Sequence, residues 1–303
     1  MATSEITARE RVTYSWQDYY EMTKPKVVLL IAFTALVGML LSTNGLTPWQ
    51  PLLFGLLGIS LAAACGAVIN HIIDQRIDAV MDRTHERPIP SGHMDSSHAM
   101  GFALLLGAVS MLTLYLLVNP LTAALTFCAL IGYAVIYTLF LKRSTPQNIV
   151  WGGLAGAAPP LLGWSAITGE VTTEAFLLLL IIFVWTPPHF WPLAIHRRDD
   201  YARANVPMLP VTHGIDFTKQ QVLIYAVMLL AVSLLPFVIH MSGYLYLAGA
   251  LLLGGGFIYH ALKLLRSEGK GHAMRTFGYS ILYLSLLFTL LLADHYLAPL
   301  LQA

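Results

Sequence analysis

Asn70, Asp74 and Asp78 recur every four residues along the chain. On an α-helix each step of four rises about 6 Å and drifts about 40° around the axis, so the three side chains form one slanted stripe. Their amide and carboxylate oxygens suit a hard cation, and Mg2+ typically bridges one or two carboxylates to substrate phosphates. Acids four residues apart on one helix repel each other, so something cationic must offset them. The bland alternative is a solvated helix end paired with Arg76, Arg83 and Arg87. Against it, the stripe begins at Asn70 inside an apolar run, where a polar group is costly and usually functional. A calcium EF-hand is excluded, because its glycine and its alternating ligand spacing are absent.

Arg83 and Arg87 follow within ten residues of the carboxylates. Guanidinium groups bind phosphate oxygens in pairs, so metal and arginine together suggest a diphosphate cradle. The chain has neither a Walker loop nor a dinucleotide fingerprint. A second acidic pair, Asp199 and Asp200, follows a proline-rich stretch containing Pro187, Pro188 and Pro192. Those prolines are expected to break or kink a helix. Two acidic sites could hold two metal ions on one diphosphate. Lys142 and Arg143 fall at the same level, as do Lys24 and Lys26, either as phosphate ligands or as anchors snorkelling to the interface.

Loss of diphosphate from an allylic donor leaves a carbocation, which aromatic faces stabilise. Tyr133, Tyr137, Phe190 and Trp191 are candidates, and ordinary packing is the alternative for each. Among eleven histidines, His71, His189 and His196 lie near the proposed site.

The elements that must position these residues are membrane spans. The 303 residues are 57% hydrophobic and only 11% charged, against about 25% charged in soluble domains. A net charge of +1 gives no sign of nucleic-acid binding. About 20 apolar residues cross the hydrocarbon, and nine runs qualify: 27–43, 51–73, 99–118, 121–141, 149–168, 175–195, 221–241, 243–265 and 277–298. The 17 lysines and arginines all fall before the first run, or at the end of or after even-numbered ones. The positive-inside rule then makes that face cytoplasmic, with the N-terminus inside and the C-terminus outside. Residues 1–26 read as a cytoplasmic segment without a cleavable signal. Residues 27–298 read as one transmembrane domain whose long cytoplasmic connections, 74–98 and 196–220, carry the polar chemistry. Cys65 and Cys128 both sit in apolar runs and read as buried small hydrophobes.

Four stretches carry a resemblance: Asp78 to Pro88, Leu141 to Gly153, Pro187 to Trp191, and Asp200 to Pro210. With the Asn70-x3-Asp74-x3-Asp78 pattern, the chain resembles the UbiA-type superfamily of intramembrane prenyltransferases over essentially residues 15–298. Within it, the chain is similar to the branch that farnesylates protohaem IX. The resemblance implies an all-α fold of nine transmembrane helices in a horseshoe around a central cavity. It implies that farnesyl diphosphate alkylates the 2-vinyl group of haem B, with addition of water, to give haem O. By analogy Asn70, Asp74 and Asp78 organise Mg2+ and diphosphate, while Asp199 and Asp200 supply a second metal site. Arg83, Arg87, Lys142 and Arg143 neutralise the diphosphate, and His71, His189 and His196 are candidates to meet haem iron or a porphyrin propionate. The superfamily's second motif is often Asp-x3-Asp; here the acids are adjacent and His stands at position 196, which leaves open whether Asp199 or Asp200 binds metal. The expected setting is the inner membrane of a bacterium, with a haem-using oxidase or haem-modifying enzyme as a possible partner.

Three other readings compete. A transporter would place ionisable groups near the bilayer midplane, whereas the acids cluster at one rim. A haem-handling assembly factor without activity does not need the full aspartate stripe. A quinone prenyltransferase shares the stripe and differs only in the acceptor.

Overall fold

The structure, a computed structural model, describes residues 14–302; Arg9 and Arg11 of the basic inventory lie outside them. Helix α1 (Trp16–Met22) leads at a bend of 51° into α2 (Pro25–Leu41). Ser15 and Asp18 close α1 with a reciprocal capping box, satisfying amides that a helix start leaves free. Then come α3 (Trp49–Asp78), α4 (Ser96–Leu117) and α5 (Pro120–Ile131). The last continues as a π-helix (Gly132–Leu141) and a final turn, α6 (Lys142–Ser144). Helices α7 (Asn148–Ala157), α8 (Pro159–Thr168) and α9 (Thr173–His196) follow. Short α10 (Arg198–Arg203) and α11 (Leu209–Thr212) precede α12 (Ile215–Ser233), α13 (Leu235–Val238), α14 (Tyr244–Arg266) and α15 (Ala273–Gln302). The described residues contain no strand.

Seven helical segments are long and apolar enough to cross a membrane, and eight if bent α1 and α2 form one span. The expected count of nine is therefore not confirmed. The difference lies at 149–168, which is two ten-residue helices, α7 and α8. Pro159 and Pro160 cannot donate the backbone hydrogen bonds that would join the two pieces. Either piece alone is about 15 Å long, half the hydrocarbon thickness.

The expected break at the prolines of α9 does not occur. Pro187, Pro188 and Pro192 lie inside a continuous helix. Around them the Thr186 hydroxyl donates to the Ile182 carbonyl at 2.8 Å, and Trp185 donates to the Ser280 carbonyl of α15 at 2.8 Å. The helix is buried among α7, α8, α12 and α15, where neighbours can cover the interrupted backbone. Cys65 is buried as expected, but Cys128 is exposed on the outer surface of α5.

Backbones meet directly between α2 and α8. A methyl group at Gly38 would lie 2.0 Å from the Pro160 carbonyl oxygen, and one at Gly163 would lie 2.0 Å from that of Ala35. Only glycine admits such an approach at either place, a packing mode that suits helices in lipid.

Candidate functional site

Helix α3 runs through Asp78, so Asn70, Asp74 and Asp78 do form one helical stripe. All three are buried. A buried acid without a partner is strongly disfavoured, and here each is matched by a cation from another part of the chain. Lys142 donates to Asp74 Oδ2 at 2.5 Å, and Asn70 Nδ2 donates to the same oxygen at 2.7 Å. Arg87 donates to Asp78 Oδ2 at 2.6 Å. Lys24 donates to Asn70 Oδ1. Arg143 lies alongside, donating to the Ile73 carbonyl at 3.2 Å. The solvated-helix-end alternative fails, because Asp78 is 3% exposed and only Arg87 of the three proposed arginines pairs with it.

Three local features place these cations. Lys24 has φ of +52°, in the left-handed region that non-glycine residues rarely adopt and that recurs at functional sites. Pro25 follows and starts α2, so the amine is aimed back at α3. Lys142 ends the π-helix, its amide donating to the Tyr137 carbonyl five residues back. Long π-helices are uncommon and often functional. The connection after α3 folds back on itself: Thr84 donates to the Asp78 carbonyl at 3.1 Å, and that turn returns Arg87 to Asp78.

The second acidic pair divides. Asp200 is buried and accepts from Arg203 at 2.6 Å through Oδ1. Asp199 is exposed and pairs with Lys270 at 2.6 Å, which holds its carboxyl below the usual range. Arg203 also donates to Asp82 at 2.7 Å, and that bond holds the Asp82 carboxyl low as well. The connections 74–98 and 196–220 thus meet. Tyr201 is packed at the junction: burial pushes its hydroxyl up, while Arg83 pulls it down, Asp200 pushes it up, and Arg197 and Arg87 pull it down.

The aromatic candidates separate too. Tyr133 and Tyr137 stack at 5.7 Å between ring centres on the π-helix. Thr138, beside them, receives a long hydrogen bond of 3.5 Å from Asn70. A methyl group at Gly152 of α7 would lie 2.3 Å from the Tyr137 ring, so that glycine lets the ring lie flat on α7. Phe190 is 39% exposed, whereas Trp191 is fully buried against the Tyr225 ring of α12. His71 is buried with both ring nitrogens unpartnered among the described residues. His189 is engaged by Ser280 at 2.6 Å and sandwiched between Trp185 and Phe277. His196 is exposed at the end of α9.

Asp74 Oδ1 and Asp200 Oδ2 are buried without a hydrogen-bond partner among the described residues. The donors are hard oxygens, and no set of three acid, histidine or cysteine side chains forms a cage among the described residues. That arrangement fits a small divalent cation shared between a carboxylate and substrate phosphates. Sequence reasoning underweighted Lys24 and omitted Arg203. The sequence offered only weak local cues: a lysine directly before a proline at a span start, and an arginine three residues after an acid.

The chain is similar in sequence to proteins of known name. It is 64% identical over 296 residues to "Protoheme IX farnesyltransferase" of Thioalkalivibrio sulfidiphilus, covering 98% of each chain. It is 59% identical over 292 residues to the protein of that name from Nitrosococcus oceani, covering 96% of this chain and 98% of that one. Its fold is similar to a solved structure of digeranylgeranylglyceryl phosphate synthase, at TM-score 0.78 and 20% identity, covering 92% of this chain and 98% of that one. A UbiA homologue from Archaeoglobus fulgidus, bound to GPP and Mg2+, matches at TM-score 0.61 and 14% identity, covering 90% and 99%. The model of the UbiA prenyltransferase family matches residues 31–290. This chain, an all-helical integral membrane protein, belongs to the UbiA prenyltransferase family.

Proposed function

We propose that this protein transfers a farnesyl group from farnesyl diphosphate to the 2-vinyl group of haem B, with addition of water, giving haem O and diphosphate. One observation carries the chemistry: a buried oxygen stripe, Asn70–Asp74–Asp78, already in contact with Lys24, Lys142 and Arg87. The acceptor and donor come from the relatives' name, at 64% and 59% identity over nearly whole chains.

Asp74 and Asp78 are the residues that would hold one Mg2+ and Asp200 a second, with Asn70 orienting Asp74; when bound, the ions would supply positive charge to the diphosphate oxygens. Asp199, turned to Lys270, is left out of that set. Arg83, Arg87, Lys142 and Arg143 bind the diphosphate and meet its charge as the allylic C1–O bond breaks. Fixed positive groups act most strongly where charge develops in a water-poor site. Lys24 joins them through Asn70.

The electron pair of the broken bond leaves with diphosphate. The farnesyl cation lies against the stacked Tyr133 and Tyr137, whose faces attract positive charge. The terminal vinyl carbon of haem B supplies the pair for the new C–C bond, and water adds to the adjacent carbon with loss of a proton. Before that point the apolar surroundings keep water from the cation. His71, with both ring nitrogens open, is the histidine best placed to meet haem iron or a propionate. The site faces the cytoplasm, a reading supported by the distribution of basic residues. The N-terminus is cytoplasmic and the C-terminus outside, in a bacterial inner membrane, where a haem-using oxidase or haem-modifying enzyme would receive the product.

The test is direct. Purified protein is incubated with haem B, Mg2+ and farnesyl or geranylgeranyl diphosphate, and prenylated haem is sought by mass. Haem O from the farnesyl donor is expected. No product with either donor sinks the proposal, and a prenylated quinone ring with haem left untouched would replace the acceptor.

A further inference from the structure

Arg203 is half-exposed, yet one of its nitrogens touches two acids on different connections. Nη2 donates to Asp200 at 2.6 Å and to Asp82 at 2.7 Å. Asp200 is buried, and its other oxygen has no hydrogen-bond partner among the described residues; the Arg197 guanidinium stands 3.6 Å away. Asp82 lies four residues beyond Asp78, just past the end of α3, and is largely exposed. The α10 helix that carries Asp200 and Arg203 is only six residues long. So short a helix has little stability of its own, and its orientation depends on ties to its surroundings.

We propose that Arg203 is a positioning residue: it latches the 74–98 connection to the 196–220 connection and fixes buried Asp200 where it would meet the Mg2+ that accompanies the diphosphate of the farnesyl donor. The inference rests on the function proposed above for that site. Arg203 touches no reacting atom. It acts through Asp200, and the arm to Asp82 fixes α10 relative to the end of α3. An ordinary exposed pair contributes little. This one differs because one of the two acids is buried, and losing the guanidinium leaves that acid less compensated.

The test pairs kinetics with a distance. Spin labels at Glu86→Cys and Ala202→Cys, in a Cys128→Ala background, report the separation of the two connections in the full-length detergent-solubilised protein. Arg203→Ala is expected to lengthen and broaden that distance. It should raise the half-saturating concentration of farnesyl diphosphate about five-fold or more, a loss of roughly 1 kcal/mol, with kcat moving less. Asp82→Asn, which keeps the Arg203–Asp200 bond, should broaden the distance in the same direction and serves if Arg203→Ala fails to fold. An unchanged distance and unchanged saturation in Arg203→Ala and Asp82→Asn overturns the latch while the activity stands. Wild-type protein that neither binds farnesyl diphosphate nor makes haem O sinks the functional reading itself, even if the distance responds.

Discussion

Two buried acids on opposite rims of the protein are satisfied in different ways. Asp294 of α15 accepts from the backbone amides of Gly243 and Tyr246, the latter at 3.1 Å. Those amides belong to the start of α14, which has free donors and a positive dipole end. Asp74 instead is held by side chains, Lys142 and Asn70, and keeps one oxygen open. Backbone amides cannot leave without unfolding the helix end. Side chains can rotate to a phosphate and back. The first arrangement builds the fold, and the second suits a site that exchanges partners.

Substitutions can break or sharpen that contrast. Asp74→Ala or Asp78→Ala should lower haem farnesylation about a thousand-fold or more, on the scale of removing preorganised charge stabilisation, while the protein still elutes as a folded species in detergent. Wild-type-like turnover would remove both from the site. Arg87→Ala leaves Asp78 buried and unpaired, and should cost about 3 kcal/mol of stability, read by thermal unfolding, besides weakening diphosphate binding. Asp294→Ala should show the reverse balance: a loss of about 2 kcal/mol from the orphaned amides, with unchanged kcat in the fraction that stays folded. A large kcat defect there would blur the distinction between rims.

Smaller effects test the aromatic and acidic assignments. Tyr137→Leu should slow transfer roughly 2- to 30-fold, the range of a cation–π contact, whereas Tyr137→Phe should stay near wild type. Equal loss in both variants would place the importance in the hydroxyl. Asp199→Asn should change activity by less than about two-fold, since an exposed ion pair contributes little. Asp200→Asn should be far more damaging. If the two aspartates behave alike, their separation by burial is wrong.

Legibility in the sequence followed the strength of each physical constraint. The Asn70–Asp74–Asp78 stripe was readable because helical period and apolar depth both act on it. The membrane character followed from composition, and the all-helical fold from the apolar runs. What remained hidden depended on long-range contact. Lys24 and Asn70 are 46 residues apart, and Arg203 and Asp82 are 121 apart; no local period announces either pair. The choice between Asp199 and Asp200 turned on which side of a short helix was covered. The α9 prolines do not end their helix, because a proline's cost is judged locally, while neighbouring helices cover this backbone. At Pro159 and Pro160 the same local rule held, and the segment divided.

The π-helix at Gly132–Leu141 makes this stretch unusually intolerant of a change in length. Removing one residue there, Ile136 for example, with the winding otherwise kept, would turn everything downstream by roughly 100° and draw it back by up to about 1.5 Å. Lys142 would then swing off Asp74, and Tyr137 would lift from the surface of Gly152. The spacing between the aromatic pair and the lysine therefore behaves as a fixed gauge, more sensitive to a deletion than to most single substitutions within it.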